Sequence, residues 1–202
     1  MGDVNDQVLR RLVLDRVVTV IESDGEDAVR VVDVARHVGT AVATVFHLFG
    51  SREGLVEAAQ VDRYVRDLGS TIEELDVATA LASGLDDFRA LVIRFVRDLL
   101  ANGQASTRRS RLAVAGRAAS DPGLGAVIGS AHRSLCSGLA AALQRAVDNT
   151  WVDPDLNATA TAHWMLEMLF ARGLAELGDQ PLDRRAWDDL ALRSVLRTLF
   201  ND

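Results

Sequence analysis

Apolar residues recur at helical spacing along most of the chain. Val8, Leu9, Leu12, Val13, Val17, Val20 and Ile21 follow the i, i+3, i+4 rule of a helix with one buried face. Gly25 follows as a C-terminal stop. The stretch from Ala28 to Val34 is dense in β-branched residues and admits a strand reading. The preferred expectation is a short helix over about 31–38, closed by Gly39, then a second short helix over about 40–46. Ser51 is placed to cap a further helix running through Leu55, Val56, Ala59, Tyr64 and Leu68, with Glu53 near its positive end. Gly69 and Ser70 read as a break, and 71–83 reads as poorly patterned.

Periodicity returns with Leu85, Phe88, Leu91, Val92, Phe95, Val96 and Leu99. Asp121-Pro122 and Asp153-Pro154 both read as a cap followed by proline in a first turn. After Pro122, Leu124, Ile128, Ala131, Leu135, Leu139, Ala142 and Ala146 are separated by three or four residues each. Asp183 is placed to cap the last helix, with Leu182 and Trp187 as a hydrophobic staple across its start. The pattern predicts eight to ten helices and no sheet, an all-α protein.

Residues 31–52 are the most specific segment. Two short helices joined by a tight turn at Gly39 form a helix-turn-helix candidate, whose second helix would enter the major groove of DNA. Asp33, Val34, Ala35, Gly39, Thr44, Phe46, Phe49, Ser51, Arg52, Glu53 and Leu55 follow the pattern D-I-A-x-x-A-G-V-S-x-x-T-x-Y-x-H-F-x-S-K-E-x-L. In this the chain resembles the N-terminal domain of the TetR family of bacterial transcriptional regulators. The motif spans about a quarter-hundred residues, and spacing and residue type agree together. Ala41 stands where the family has a capping serine, so Thr40 is expected to cap instead. Phe46 replaces the family's tyrosine and lacks its hydroxyl, and Arg30 takes the place of a threonine before the preceding helix.

The resemblance implies an N-terminal three-helix DNA-binding domain, assigned to residues 1–50, and a helical effector-binding and dimerisation domain, 51–202. It also implies DNA contacts at Arg30, Thr40, Ala41, Val42, Ala43, Thr44, Phe46, His47 and Arg52. Thr40, Thr44 and His47 supply the polar groups. Val42 and Ala43 between them favour thymine methyls and groove shape over guanine edges. Arg52 near a helix start opposes the helix dipole, an arrangement that makes sense if a phosphate docks there. Phe49 is expected in the core.

Charge sharpens this picture. Basic residues number 22 and acidic ones 29, a net of −7. All the basic residues are arginine, which suits phosphate or carboxylate recognition but equally follows from GC-rich codon usage. Residues 28–52 hold Arg30, Arg36 and Arg52 against Asp33, a local +2 that leaves −9 on the rest. A thin positive patch in an acidic chain fits salt-sensitive phosphate positioning by two copies of the motif. The bland reading of Arg36 and Arg52 is a solvated surface. The basic run Arg108, Arg109, Arg111 and Arg117 is expected to be a solvated or salt-bridged helix face.

From 158 to 177 the helix is apolar nearly all round, and the last helix carries a broad stripe. Both need cover beyond one neighbour, so a two-fold four-helix interface is expected at Leu166, Phe170, Leu174, Ala191, Val195 and Leu199. Full enclosure within one chain is the alternative. The resemblance implies a small-molecule effector. An apolar one is expected in a pocket lined by Phe88, Phe95, Leu135, Met165 and Met168, with Arg94, His132, His163 and Trp164 as anchors. His132 and Cys136 lie one helical turn apart, but with no third ligand in view no metal and no cofactor are expected. The single cysteine excludes an intrachain disulfide and a multi-thiolate zinc site. No P-loop, G-x-S-x-G or H-E-x-x-H occurs, so no enzyme is expected.

No apolar run approaches the roughly 20 residues of a membrane span, and the acidic N-terminus shows no signal peptide. The resulting expectation is a cytoplasmic homodimer that binds an operator in double-stranded DNA, probes no membrane, and acts as a repressor released by its effector. A helical ligand-binding or interaction protein of the same fold that has lost DNA reading is the alternative, motivated by Ala41, Phe46 and the thin charge.

Overall fold

In a computed structural model, residues 2–65, 68–101, 104–177 and 183–200 are described. Ten α-helices and one 3-10 turn, Glu26–Ala28, make up the regular structure, with no strand among the described residues. The helices are α1 Gly2–Asp24, α2 Val31–Val38, α3 Val42–Phe49, α4 Arg52–Val65, α5 Leu68–Leu81, α6 Leu85–Leu100, α7 Ala105–Ala118, α8 Pro122–Asp148, α9 Ala158–Ala175 and α10 Arg184–Phe200. The chain divides into two compact units, residues 1–64 and 65–202.

The first unit is held by one core. Val13, Val17 and Ile21 of α1 meet Val31, Val34 and Ala35 of α2, Val45 of α3, and Leu55, Val56 and Ala59 of α4. The unit therefore ends at Tyr64 and not at residue 50, because the first half of α4 contributes three side chains to the core of α1–α3. Ser51 caps α4 as its sequence position implies, its Oγ accepting from the Gly54 N–H at 3.0 Å.

In the second unit α8 is the central rod, packed against α5, α7 and α9. Leu124, Ile128, Leu135, Leu139, Ala142 and Ala146 are all buried along it. Asp121 caps it through the Leu124 N–H at 3.1 Å, and Pro122 occupies its first turn. Asp183 caps α10 through the Ala186 N–H at 3.0 Å, while its proposed staple partner Leu182 lies outside the described residues.

Two expectations fail here. Residues 71–83 largely form a regular helix, α5, which buries Leu68, Ile72, Leu75 and Thr79. Exposed Val77 and Leu81 obscure that stripe in the sequence, and Thr79 joins the buried face by donating its hydroxyl to the Leu75 carbonyl at 2.7 Å. Asp153-Pro154 does not open a helix. The Asp153 carboxylate accepts from the Asp155 N–H at 2.8 Å, an Asx turn, and α9 starts later under Asn157, whose side chain accepts from Ala160 N–H at 2.9 Å.

Of the two arrangements expected for the basic run in α7, Arg108 takes the salt-bridged one, but in the interior. Arg108 and Arg111 are buried. Arg108 grips Glu176 with two hydrogen bonds of 3.1 and 2.7 Å and donates to the carbonyls of Leu99 and Ala101 at the end of α6. Arg172, fully buried, pairs with Glu176 at 2.8 Å and with Asp188 at 3.1 Å. A charged network thus ties α6, α7, α9 and α10 together. Burial pushes the Glu176 carboxyl up, but its hydrogen bonds and attraction to Arg108, with Arg172 and Arg184, outweigh that and hold it below the usual range. Arg108 turns inward with its guanidinium hydrogen-bonded to Glu176 and two carbonyls, whereas Arg172 hydrogen-bonds through Nε to Asp188 and its two terminal nitrogens are buried without a hydrogen bond among the described residues, held by the nearby Glu176 charge.

Candidate nucleic-acid interface

The turn between α2 and α3 is set by Gly39, which adopts φ 76° and ψ 33°. This left-handed conformation suits glycine and closes α2 with a Schellman bond from the Thr40 N–H to the Ala35 carbonyl at 2.9 Å. Thr40 does not cap α3. Ala41 is the N-cap residue, and no side chain caps it. The helix accordingly starts at Val42 and ends at Phe49, later than the sequence pattern suggests.

Val45 anchors α3 in the core, 1% exposed. The opposite face carries Ala43, Phe46 and His47, all exposed at i, i+3, i+4, with Ala41 exposed ahead of them and Thr40, Val42 and Thr44 half-buried at the flanks. Phe46 is 43% exposed, a large aromatic surface left in water. Phe49, at the other end, packs on the core as expected. The Arg10 guanidinium lies 4.5 Å from the Phe49 ring centre and donates to the Leu48 carbonyl at 2.9 Å. Arg10 therefore braces the C-terminal end of α3, a role no local pattern in α1 announces.

The arginines divide into different roles. Arg30 is exposed at the N-cap position of α2, without a side-chain capping bond. Arg36 is exposed and paired with Asp33 at 2.9 Å. Arg52 has partners within the chain. Its Nε donates to the Val29 carbonyl at 3.0 Å and one terminal nitrogen to the Glu26 carbonyl at 2.8 Å. It clasps the 3-10 turn and the entry to α2, which explains a cation at the start of α4 without a ligand.

Residues expected around an effector also separate. Phe88, Phe95, Leu135 and Met165 are buried, and Met168 is half-buried. Arg94 is exposed, and Trp164 is 41% exposed. His132 and His163 do come together, with Cys136 between them: their ligand atoms all lie within 4.8 Å of one another. A third ligand thus stands beside the pair that the sequence shows. Burial, then the charge of Glu167, push the Cys136 thiol up.

The expected dimer face is mostly interior. Leu166, Ala191, Val195 and Leu199 are buried in the chain's own core, and the Phe170 ring packs edge-on to His132 at 6.2 Å. Leu174 is exposed, together with Trp164, Leu177 and Leu190. The apolar residues of α9 and α10 are so numerous that each helix buries one stripe and keeps another outside.

Residues 13–59 match the family model for bacterial regulatory proteins of the tetR family. No curated protein matches by sequence. Among solved structures, a protein of Mesorhizobium loti assigned to the TetR-family transcriptional regulators superposes with TM-score 0.67 at 16% identity, covering 96% of this chain and 98% of that one. A protein of Saccharomonospora viridis, described as a transcriptional regulator in complex with choline, gives 0.63 at 16% identity, with coverages of 94% and 96%. The transcriptional regulator FadR from Bacillus subtilis, in complex with stearoyl-CoA, gives 0.62 at 17% identity, with coverages of 93% and 98%. Residues 13–59 thus match the helix-turn-helix domain of that family, and the chain as a whole has the TetR-like fold, an N-terminal helix-turn-helix domain followed by a helical C-terminal domain. No described helix is long and apolar enough to cross a membrane.

Proposed function

We propose that the protein is a homodimeric DNA-binding transcriptional regulator, a repressor released from its operator by a small apolar effector. The observation that carries this reading is the solvent-facing row Ala43, Phe46 and His47 on a helix whose other side is locked into the core by Val45. A side chain as apolar as Phe46 left outside, in a segment matching the family model, is explained by a groove of DNA that covers it. The contact set is Arg30, Thr40, Ala41, Val42, Ala43, Thr44, Phe46 and His47, without Arg52. Phe46 and the methyl groups of Thr44 and Val42 suit thymine methyls, and His47 supplies a polar contact.

Dimerisation is supported by a second exposed row on α9: Ala160, Trp164, Glu167, Ala171 and Leu174, spaced four, three, four and three residues apart. Leu190 is likewise exposed, on α10. This is the seam of a helix pair, and a second copy would cover it. Phe88, Phe95, Leu135 and Met165 supply the apolar side chains around which an effector cavity would open. Relatives of this fold hold stearoyl-CoA and choline, which supports a ligand-responsive C-terminal unit. Release requires that the effector bind more tightly to the form whose two reading heads are wrongly spaced.

A gel shift with the DNA flanking the protein's own gene tests the reading. A sequence-specific complex that weakens steeply with salt is expected. A folded dimer that shifts that DNA no better than random sequence at low salt would favour a protein of the same fold without DNA reading.

A further inference from the structure

The strongest chemistry outside the reading head lies between α8 and α9. Each helix presents a pair of side chains one turn apart: His132 and Cys136 on α8, His163 and Glu167 on α9. The pairs meet in antiparallel register. His132 Nε2 is 3.0 Å from the Glu167 carboxylate, and Cys136 Sγ is 3.4 Å from His132 Nε2 and 3.4 Å from His163 Nδ1.

We propose that these four residues form a binding site for one transition-metal ion of borderline softness, of the Zn2+ class. The donor set is one thiolate, two imidazoles and one carboxylate, the mixture such an ion takes in tetrahedral sites. Bond lengths of about 2.3 Å to sulfur and 2.05 Å to nitrogen put the S···N edge of a tetrahedron near 3.5 Å. Both S···N separations here are 3.4 Å. His132, Cys136 and His163 already hold their ligand atoms within 4.8 Å of one another, and Glu167, against His132 at 3.0 Å, would swing in as the fourth.

The surroundings suit a resident ion. Cys136 is 2% exposed, and the Phe170 ring lies edge-on against His132. The Glu167 side chain is 57% exposed within the single chain, on the row that a second copy would cover, so an ion would enter before the two copies close or as they part. Binding displaces the thiol proton, and the resulting thiolate and the Glu167 carboxylate together balance a divalent charge. The ion cross-links α8 to α9. Nothing in this site depends on DNA binding, so its failure would leave the regulator reading intact.

Full-length protein, reduced and stripped with a chelator, is titrated with Co2+ as a spectroscopic probe and then with Zn2+. One Co2+ per chain with a thiolate-to-metal charge-transfer band is expected, displaced by Zn2+. Cys136→Ser should abolish the band and weaken Zn2+ binding by about 100-fold or more, beyond the usual effect of an outer-shell partner. His163→Gln, which keeps a polar side chain and the cysteine, should weaken binding comparably with unchanged circular dichroism. His37→Gln, in the other unit, should change neither and serves as control. A folded wild-type chain without the thiolate band, or a band and affinity that survive both Cys136→Ser and His163→Gln, overturns the proposal.

Discussion

Gly54 offers a test of how α3 is seated. It lies in the first turn of α4, where a methyl group would fall 2.3 Å from the Phe49 carbonyl oxygen at the end of α3. That neighbour is backbone, so relief requires α3 and α4 to part. Overpacking of this kind costs about 1–3 kcal/mol. Helix propensity acts the other way, since alanine in a helix is worth about 1 kcal/mol over glycine. A clash this close with backbone falls in the upper part of that range, about 2–3 kcal/mol, so the steric loss wins and Gly54→Ala should destabilise the N-terminal unit by about 1–2 kcal/mol net. Gly116→Ala is the control: it sits in α7 with nothing within 4 Å of the added carbon and should gain about 1 kcal/mol at most. All three tryptophans, Trp151, Trp164 and Trp187, lie in the C-terminal unit, so their fluorescence does not report on α3. The assay is urea unfolding by far-UV circular dichroism with amide hydrogen exchange of 42–60. Faster exchange there in Gly54→Ala is expected. Equal or slower exchange, with Gly54→Ala as stable as Gly116→Ala, would refute the close approach.

Three further outcomes follow from the structure. Arg52→Ala should lower stability of the N-terminal unit by about 1–3 kcal/mol through two lost charge-assisted bonds, with the salt slope of DNA binding unchanged; a slope reduced by about one would restore Arg52 as a phosphate contact. Because the folded Glu176 carboxyl titrates below its free value, its stabilisation is complete above the ordinary glutamate range and is lost as pH falls through the folded value. Tryptophan-detected unfolding should therefore show stability falling on acidification, with a shallower fall in Glu176→Gln, and identical slopes would contradict the network. Leu174→Glu should yield monomers by sedimentation with little change in far-UV circular dichroism, since Leu174 is 59% exposed within the chain; a dimer of unchanged affinity would place the interface elsewhere.

The reading head was legible because its signals are local. Gly39 needs a positive φ, Ser51 caps through its own neighbour Gly54, and Val34, Ala35 and Val45 fall on helical faces that meet across a short turn. Asp121 and Asp183 announce helix starts for the same reason. Where a side chain's partner is remote, sequence fell short. Arg52 looks like a phosphate ligand until Glu26 and Val29 fold back against it. Arg108 reads as one member of a solvated or salt-bridged face until Glu176 is placed beside it in the interior. The His132 and Cys136 pair lacks a third ligand until α9 lays His163 alongside. In α9 and α10 too many positions are apolar for periodicity to separate the inner stripe from the outer one, so the proposed interface moves from Leu166, Ala191, Val195 and Leu199 to the exposed row.

The central claim is that the exposed face of α3 enters the major groove of a specific operator, twice, on one side of the duplex. Protection mapping across the DNA upstream of the protein's own gene tests it most directly. The account predicts two protected half-sites about one helical turn, or a multiple of it, apart, both lost in a folded Phe46→Ala, His47→Ala double variant. Uniform cleavage with the wild-type dimer at low salt, or a footprint untouched by that double variant, would contradict it.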